Sequence, residues 1–311
     1  MGGEMPNDLS SVFDSTRLKV AIITPYYNTG AIFHETAASV FAQTWQDWEW
    51  VIINDGSNDA EAIHIIASYR KSDPRIKVID QPNKGLPTAR NVGVAASTAP
   101  LLFFLDSDDI LAPTALEHLI TLLAQFPSVG FATTWVQAFG ARSFVWKHGF
   151  TSGNYFLFEN TVTPLSIVRR TVFDTIGGFN ELRIQGLEDY EFWIQCAAQG
   201  YWGIDVCEVL VFQRHKTPNQ YVHYQWANRD DPTKLRAFQD EMRRTYPKLY
   251  REGVPHLHAT GKSAHAYACE RVGLWAFPLT RWLLTKKYQL TSSSFWHTLG
   301  PWWRRVKGAL L

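Results

Sequence analysis

The first candidate for chemistry in this sequence is the triplet Asp106-Ser107-Asp108, which directly follows the fully apolar run 101–105. Two carboxylates this close together supply hard oxygen ligands. Such ligands suit Mg²⁺ or Mn²⁺, especially when a diphosphate completes the coordination shell. A metal held there would neutralise charge on a departing phosphate. The triplet also fits an Asp-rich loop that caps a helix beginning near Pro113, and the spacing alone leaves both interpretations open.

Two more polar clusters follow apolar runs in the same way. Residues 25–28 follow the run 19–23, and residues 55–59 follow the run 50–53. Segments with helical spacing alternate with these runs; they cover 31–43, 61–72, 86–96 and 113–125. This alternation indicates a mostly parallel sheet covered by helices on both faces. Ligands of such sheets bind beyond the carboxyl ends of the strands, so we expect the three polar clusters to converge at one edge.

After Phe131 the pattern changes. Runs 131–135 and 143–146 predict strands that pair as a hairpin, and 171–176 predicts a short helix capped by Gly177. Segment 188–199 predicts a helix with acidic residues in its first turn, where the helix dipole favours negative charge. Run 207–214 predicts a last strand.

Seven short blocks stand in a specific order along the chain. They are residues 22–28 (IITPYYN), 51–57 (VIINDGS), 83–85 (NKG), 89–93 (ARNVG), 104–109 (FLDSDD), 177–181 (GGFNE) and 186–191 (GLEDYE). This ordered set resembles the inverting, GT-A-fold glycosyltransferases of family 2 over roughly residues 17–216. The resemblance implies a Rossmann-like, mostly parallel central sheet flanked by helices. It also implies transfer of a sugar from a nucleotide diphosphate, with a UDP-sugar favoured, to a hydroxyl acceptor.

The resemblance assigns nucleotide binding to four residues. Pro25 and Tyr27 would line the base pocket, and Asp55 would accept hydrogen bonds from the base. Arg90 would lie near Asp55 and the nucleotide. The structural alternatives are that Asp55 merely forms a turn before Gly56 and that Arg90 is a solvated charge on a helix.

The resemblance also assigns a metal site for Mn²⁺ or Mg²⁺. Asp106 would approach the ribose and the metal, Asp108 would ligate the metal, and His215 would reach the metal or the diphosphate. Asp109 is expected to cap a helix. The string around His215 matches the family only in part, so a purely structural histidine stays open as an alternative.

An inverting transfer needs a base that deprotonates the acceptor hydroxyl, and a carboxylate is suitable. The family's Glu-Asp pair matches Glu188-Asp189, which makes Asp189 the expected base and Glu188 its orienting partner or an acceptor ligand. Trp193 lies one turn further along and would stack on an acceptor sugar or belong to the core.

Composition excludes several classes of protein. The 311 residues carry a formal net charge of +1, which argues against a nucleic-acid binder. The three cysteines form no Cys-x-x-Cys pair, so a reducing, cytoplasmic location is expected. The first strand is not followed by a Gly-x-Gly-x-x-Gly loop, which argues against a dinucleotide-dependent oxidoreductase. The nucleotidyltransferase Gly-rich loop is also missing there. A non-catalytic nucleotide- or glycan-binding protein on the same scaffold is the remaining alternative.

Charge divides the chain into two regions. Residues 254–311 hold eight basic residues and one acidic residue, a net charge of +7, which leaves −6 for the rest, and they also hold five tryptophans. We expect a flexible segment 1–16, a catalytic domain 17–225 and a helical, basic, Trp-rich region 226–311. Within the catalytic domain, about 17–110 would bind the nucleotide and about 111–225 the acceptor. The tail predicts binding to an anionic membrane surface, peripherally on the cytoplasmic face, or packing on the core, or an oligomer. A lipid-linked or glycan acceptor would suit such a location.

Overall fold

One mixed sheet forms the centre of the molecule. The computed structural model describes residues 18–147, 156–183, 186–216 and 232–254. The nine strands in this part of the chain are β1 (Val20–Tyr26), β2 (Trp48–Asp55), β3 (Ile76–Gln81), β4 (Leu101–Phe104), β5 (Ile110–Leu111), β6 (Phe131–Gly140), β7 (Phe144–Trp146), β8 (Ile167–Arg169) and β9 (Gly203–His215). Their order across the sheet is β3-β2-β1-β4-β8-β6-β9-β5, and β7 pairs with β6.

Helices connect and cover these strands. They are α1 (Phe33–Phe41), α2 (Ala60–Tyr69), α3 (Leu86–Ala95), α4 (Ala115–Gln125), α5 (Arg170–Ile176), α6 (Glu188–Ala198), α7 (Pro232–Thr245) and α8 (Pro247–Glu252), and a short 3-10 helix (Gly30–Ile32) precedes α1. No helix in the described ranges is both long and apolar enough to cross a membrane.

The first four strands are parallel. Strands β1, β2 and β4 are buried on both faces, as their near-continuous apolar runs predict, whereas the edge strand β3 is partly exposed. Successive side chains point to opposite faces of the sheet. Ile22 and Phe103 therefore belong to one core cluster, and Ile23 and Phe104 belong to the other. Strand β1 lies between β2 and β4, and the loop that follows it lies at the edge of the sheet where the parallel strands end.

The second half of the sheet mixes directions. Strand β8 runs antiparallel to both β4 and β6, and β9 runs parallel to β6. The predicted hairpin is confirmed, because β6 and β7 pair antiparallel. Strands β5 and β8 have two and three residues, so they carry too few side chains to show a period in the sequence.

Two consecutive arginines at the end of β8 hold the segments that follow two helices. Arg169 donates to the carbonyl oxygen of Leu123 in the last turn of α4 and to that of Val129 in the loop after it, at 2.7 Å each. Arg170 donates to the carbonyl oxygen of Ala99 at 2.7 Å, just beyond α3. Burial lowers the pKa of Arg169 to about 10. The contact with Leu123 satisfies a carbonyl group that the helix end leaves without a partner, and the other two hold the loops after α4 and α3.

The helices α7 and α8 pack on the second core cluster. Phe238 and Met242 of α7 are buried, and the ring of Phe238 lies 5.1 Å from that of Tyr190 on α6. The predicted segment 1–16 and residues 255–311, with all five tryptophans of the basic tail, lie outside the described residues.

Candidate functional site

The loops after β1, β2 and β4 meet at one edge of the sheet, as predicted. The Oδ1 atom of Asn28, which has a φ of 49°, accepts hydrogen bonds from the backbone N–H groups of Asn58 and Asp59 at 2.9 and 3.0 Å. The hydroxyl oxygens of Thr29 and Ser107 lie 2.6 Å apart. Each loop therefore holds its neighbour through side chains that follow a strand.

Asp55 ends β2 and is buried. Its Oδ1 accepts hydrogen bonds from Gln81 Nε2 at 2.7 Å and from the backbone N–H of Lys84 at 2.9 Å. Its Oδ2 accepts one from the backbone N–H of Gly85, also at 2.9 Å. Gly56 is required at the next position because a Cβ there would lie 2.6 Å from the backbone nitrogen of Asn83. The carboxylate thus holds the loop that enters α3.

The two predicted base-pocket residues stand at the same edge. Pro25 is buried in β1 opposite Ile53, and the half-buried Tyr27 comes directly after the strand. Tyr26, between them, points into the core, and its hydroxyl donates to the carbonyl oxygen of Ala62 at 2.8 Å. The alternation along β1 therefore directs Pro25 and Tyr27 away from the Tyr26 side.

Arg90 is wholly buried on α3, so its interpretation as a solvated helix charge is wrong. Its Nη1 donates to Glu188 Oε1 at 2.7 Å, and its Nη2 donates to Asp106 Oδ1 at 2.9 Å. The expected neighbour Asp55 instead holds the start of α3, at Gly85. Arg90 therefore joins the Asp-x-Asp triplet, which follows β4, to the Glu-Asp pair, which begins α6.

The triplet itself carries two carboxylates in different settings. Asp106 is paired with the buried Arg90, whereas Asp108 Oδ2 lies 2.6 Å from Lys216 Nζ. The side chains of Asp106 and Asp108 are 19% and 20% exposed, so both are accessible to a ligand that binds from the solvent. A divalent cation bound through two such carboxylates would take its remaining ligands from a diphosphate and water.

The predicted three-ligand set of Asp106, Asp108 and His215 is not assembled. In the described ranges, no three His, Cys, Asp or Glu side chains are grouped to hold a metal ion. His215 ends β9 with 5% of its surface exposed, and its ring lies edge-on to Phe144 at 5.4 Å. Its carbonyl accepts the N–H of Ala141 at 2.8 Å. The strand pairing of β9 with β6 therefore directs this residue toward the hairpin.

Asp109 does not cap a helix, contrary to expectation. Its Oδ1 accepts the backbone N–H of Arg214 at 2.7 Å, which ties the loop after β4 to β9. The Arg214 side chain continues this contact, because its Nη2 lies 2.5 Å from Glu35 Oε2 on α1. Burial, with Asp108 and Asp106 nearby, raises the pKa of Asp109 well above its usual value.

Asp189 lies in the first turn of α6 with part of its surface accessible. Its Oδ2 accepts a hydrogen bond from Asn160 Nδ2 at 3.1 Å, and its Oδ1 accepts one from the N–H of Tyr190 at 2.8 Å. Desolvation by the surrounding protein and the adjacent charge of Glu188 raise the pKa of Asp189 to about 7, against the opposing effect of Arg90. A carboxyl group with a pKa near the working pH is suited to general-base catalysis.

Trp193 belongs to the core, so its interpretation as a sugar platform is wrong. The side chain is fully buried, and its ring lies 4.9 Å from that of Phe131. Helix α6 therefore carries Glu188 and Asp189 in its first turn, and its aromatic residues further along pack in the core.

The Gly-Gly-Phe loop is held by the residue next to Arg90. Asn91 Oδ1 accepts the N–H of Phe179 at 2.9 Å, and its Nδ2 donates to the carbonyl of the same residue at 2.8 Å. Gly178 has a φ of 82°, and a Cβ there would lie 2.7 Å from Asn91 Oδ1. The Arg-Asn pair of α3 thus fixes both the loop and the helix that follows it.

The family model described as "Glycosyl transferase family 2" matches residues 21–189 of this chain. The chain belongs to glycosyl transferase family 2. The match begins in β1 and ends at Asp189, so it contains the Asp-x-Asp triplet and the Glu-Asp pair.

Several curated glycosyltransferases are similar to this chain. The uncharacterized glycosyltransferase YibD of Escherichia coli (strain K12) is 38% identical over 104 residues, which are 33% of this chain and 30% of YibD. The poly(ribitol-phosphate) beta-N-acetylglucosaminyltransferase TarP of Staphylococcus aureus (strain N315) is 41% identical over 104 residues, 32% of each protein. The uncharacterized glycosyltransferase MJ1057 of Methanocaldococcus jannaschii is 26% identical over 229 residues, 71% of this chain and 74% of MJ1057. The matches thus span about a third of YibD and TarP.

The fold is shared with a solved structure. The crystal structure of S. aureus TarS 1–349 in complex with UDP-GlcNAc aligns with a TM-score of 0.60 at 16% identity, over 72% of this chain and 66% of that one. This likeness confirms the GT-A fold with its mixed, mostly parallel sheet.

Four contacts of the family 2 site were not predicted from the sequence. Asn160 supports Asp189, Asn91 holds the Gly-Gly-Phe loop, Lys216 pairs with Asp108, and Glu35 pairs with Arg214. Asn91 and Lys216 stand beside predicted site residues, which is a usable signal. Asn160 lies 29 residues before Asp189 in an irregular segment, where no periodicity points to a role.

Proposed function

We propose that this chain is an inverting glycosyltransferase that moves a sugar from a nucleotide-diphosphate donor to a hydroxyl acceptor. The observation that carries the proposal is the chain of ion pairs Asp106–Arg90–Glu188. It joins the Asp-x-Asp loop to the Glu-Asp pair, within a chain that belongs to family 2. Donor and acceptor groups can therefore meet at one edge of the sheet.

In the proposed reaction Asp189 is the base. The acceptor oxygen attacks the anomeric carbon and forms the new C–O bond, while its proton passes to the Asp189 carboxylate. The bond between the anomeric carbon and the phosphate oxygen breaks, and its electron pair leaves with the nucleotide diphosphate. A single displacement from the opposite face inverts the anomeric configuration. A base of this kind typically contributes ~10²–10⁴-fold in rate.

The leaving group needs counter-charge. Asp108 and Asp106 would hold Mn²⁺ or Mg²⁺, which would supply Lewis-acid stabilisation of the departing diphosphate. Lys216 Nζ, 2.6 Å from Asp108, adds a cation at the same place. Pro25, Tyr27 and Asp55 would form the nucleotide end of the donor site.

The donor is proposed to be a UDP-sugar. TarS, whose fold this chain shares, was crystallised with UDP-GlcNAc, and TarP is named as an N-acetylglucosaminyltransferase. Neither name fixes the sugar for this chain. The proposed acceptor is a hydroxyl of a glycan or lipid-linked intermediate in cell-surface polysaccharide or glycoconjugate synthesis.

The basic tail is proposed to bring the protein to anionic membranes at their cytoplasmic face. Its composition, residues 254–311 with a net charge of +7 and five tryptophans, supports this proposal. Binding of the full chain to vesicles with anionic lipid should weaken with salt, and truncation before Trp296 should reduce it. If the full chain ignores anionic vesicles at low salt, packing or self-association of the tail is preferred.

A donor screen tests the transferase proposal. The purified chain is incubated with UDP-, GDP- and other nucleotide-sugars and glycan acceptors, and nucleotide-diphosphate release is followed with and without Mn²⁺ or Mg²⁺. We expect release with one nucleotide class, increased by acceptor and by metal. Tight nucleotide binding with no release under any condition would favour the non-catalytic binding protein instead.

A further inference from the structure

Arg90 is the centre of a buried charge network. Its guanidinium is 0% exposed and donates one hydrogen bond to each of two carboxylates, Glu188 and Asp106. The same group lies 5.4 Å from the centre of the Phe179 ring, whose backbone is held by Asn91. A planar guanidinium can meet two carboxylates at once, which a lysine ammonium does less well.

The helix that carries Arg90 is fixed at both ends. Asp55 accepts the N–H of Gly85 at its start, and Arg170 donates to the carbonyl of Ala99 beyond its end. In its middle, Gly93 lies so close to β1 that a Cβ would be 2.4 Å from Ile23 Cγ2. Arg90 therefore projects from an element that cannot shift along the sheet.

The two acidic residues at the start of α6 have different partners. Glu188 is 3% exposed and ion-paired with Arg90, so its negative charge is compensated. Asp189 accepts hydrogen bonds from two uncharged donors, Asn160 Nδ2 and the N–H of Tyr190. Of the two carboxylates, Glu188 is thus held by a charged partner, whereas Asp189 has only uncharged donors and keeps part of its surface accessible.

We propose that Arg90 is a positioning residue that holds Glu188 in an ion pair and so leaves Asp189 as the carboxyl group that takes the acceptor proton. This inference rests on the proposed function, because it divides the roles of a Glu-Asp pair that acts in transfer. It extends that function because the different roles of Glu188 and Asp189 are attributed to Arg90, which lies on a different helix, 98 positions before Glu188 in the sequence.

The charges around Asp189 make the inference testable by pH. Glu188 on the same helix raises its pKa, and Arg90 from α3 lowers it. Asp106 is ion-paired with the same Arg90, and Glu159 and Arg243 act on the neighbouring Tyr190. Removing the charge of Arg90 and removing that of Glu188 should therefore shift the protonation of Asp189 in opposite directions.

The experiment compares the acidic limb of kcat/KM against pH for the wild type, Arg90→Gln and Glu188→Gln, in the full chain with a competent donor and acceptor. We expect the limb to move to higher pH in Arg90→Gln and to lower pH in Glu188→Gln, by about one pH unit each. Arg90→Lys keeps the charge, so its limb should stay near the wild-type position while turnover falls.

Arg170→Lys is the matched control, because Arg170 is a part-buried arginine that donates to backbone carbonyls in α3, at Val94, and just beyond it, at Ala99. It should lower the melting temperature without moving the limb. If Arg90→Gln does not fold, the inference is tested by the other two variants. The acidic limb should then move to lower pH in Glu188→Gln and stay near the wild-type position in Arg90→Lys. An unmoved limb in Glu188→Gln, or shifts in the same direction in both neutral variants, overturns the inference. Full turnover in Asp189→Asn would instead overturn the proposed function.

Discussion

Two carboxylates in this molecule illustrate two ways of preparing an acidic side chain. Asp55 lies in residues 17–110, the half that is proposed to bind the nucleotide (the nucleotide half), and accepts three hydrogen bonds from N–H donors at 2.7–2.9 Å. Asp189 lies in residues 111–225, the half that is proposed to bind the acceptor (the acceptor half), and accepts two at 2.8 and 3.1 Å, beside another carboxylate. Asp55 is fixed by its three donors, whereas Asp189 keeps accessible surface and has a pKa raised to about 7. The first suits recognition, and the second suits proton transfer.

The two halves also differ in how far along the chain their contacts reach. The partners of Asp55 lie within 30 residues, in the loop that the next crossover brings back. The Glu-Asp pair depends on Arg90, 98 residues earlier, and on the packing of α6 against a second core cluster. Local βαβ units can thus build the nucleotide half, but the Glu-Asp pair is positioned only when the whole fold is complete.

The largest effect is expected from a substitution that changes one side-chain atom in the acceptor half and leaves the nucleotide half intact. Asp189→Asn keeps the size of the side chain and removes its basicity, so turnover should fall by ~10²–10⁴-fold. Donor affinity should stay near the wild-type value, because it rests on the other half. Nucleotide titration beside turnover with an acceptor measures both.

Stability provides the control for that variant. The folded-state pKa of Asp189 lies above the value of 3.8 for a free carboxyl. Stability is therefore lost as pH rises through the folded-state value of about 7, where Asp189 ionises in the protein. At pH 8 the Asn variant should be more stable than the wild type, by on the order of 2 kcal/mol. A less stable variant would mean that the helix start, rather than the chemistry, was damaged.

The second prediction concerns the diphosphate side. Asp108→Ala removes a carboxylate that is 20% exposed and faces Lys216, so turnover should fall by about 10²-fold and diphosphate affinity should weaken. Asp240→Ala removes an exposed carboxylate of α7 and should leave both unchanged. Full activity of Asp108→Ala in the presence of a chelator would reject the metal assignment.

The third prediction tests the rigidity of the nucleotide half. Gly56→Ala combines a φ of 75° with a contact of 2.6 Å to the nitrogen of Asn83, whereas Gly177→Ala has a φ of 86° and meets nothing within 4 Å. The first should cost about 2–4 kcal/mol of unfolding free energy and the second about 1 kcal/mol. Equal costs, measured by denaturant titration, would mean that the loop after β2 adapts.

The smallest effect is expected where α7 meets the acceptor half. Arg183 Nη2 lies 2.5 Å from Glu241 Oε1, but the Glu241 side chain is 46% exposed. Glu241→Gln should therefore change stability by less than about 1 kcal/mol, whereas Phe238→Ala should cost about 3–5 kcal/mol. A large effect of Glu241→Gln on the melting temperature would show that charge, rather than aromatic packing, holds α7.

The sequence predicted most of the nucleotide half, because its elements obey local rules. Continuous apolar strands and terminal polar clusters were enough to predict the edge at which Asn28, Thr29 and Ser107 meet. It did not predict that Arg90 pairs with Glu188 or that β9 carries His215 toward Phe144. Those contacts depend on how the antiparallel second half closes on the first, which no short-range pattern encodes.

The pH dependence of kcat/KM in the wild-type protein tests the central claim most directly. That claim is that Asp189 is the catalytic base and has a pKa near neutrality. The measurement uses saturating metal and a neutral acceptor, with Asp189→Asn as the reference. We predict that kcat/KM falls about tenfold per pH unit below a midpoint of about 7, stays level above it, and loses this limb in the variant. A midpoint near 4, or the same limb in Asp189→Asn, would contradict the assignment of Asp189 as the base.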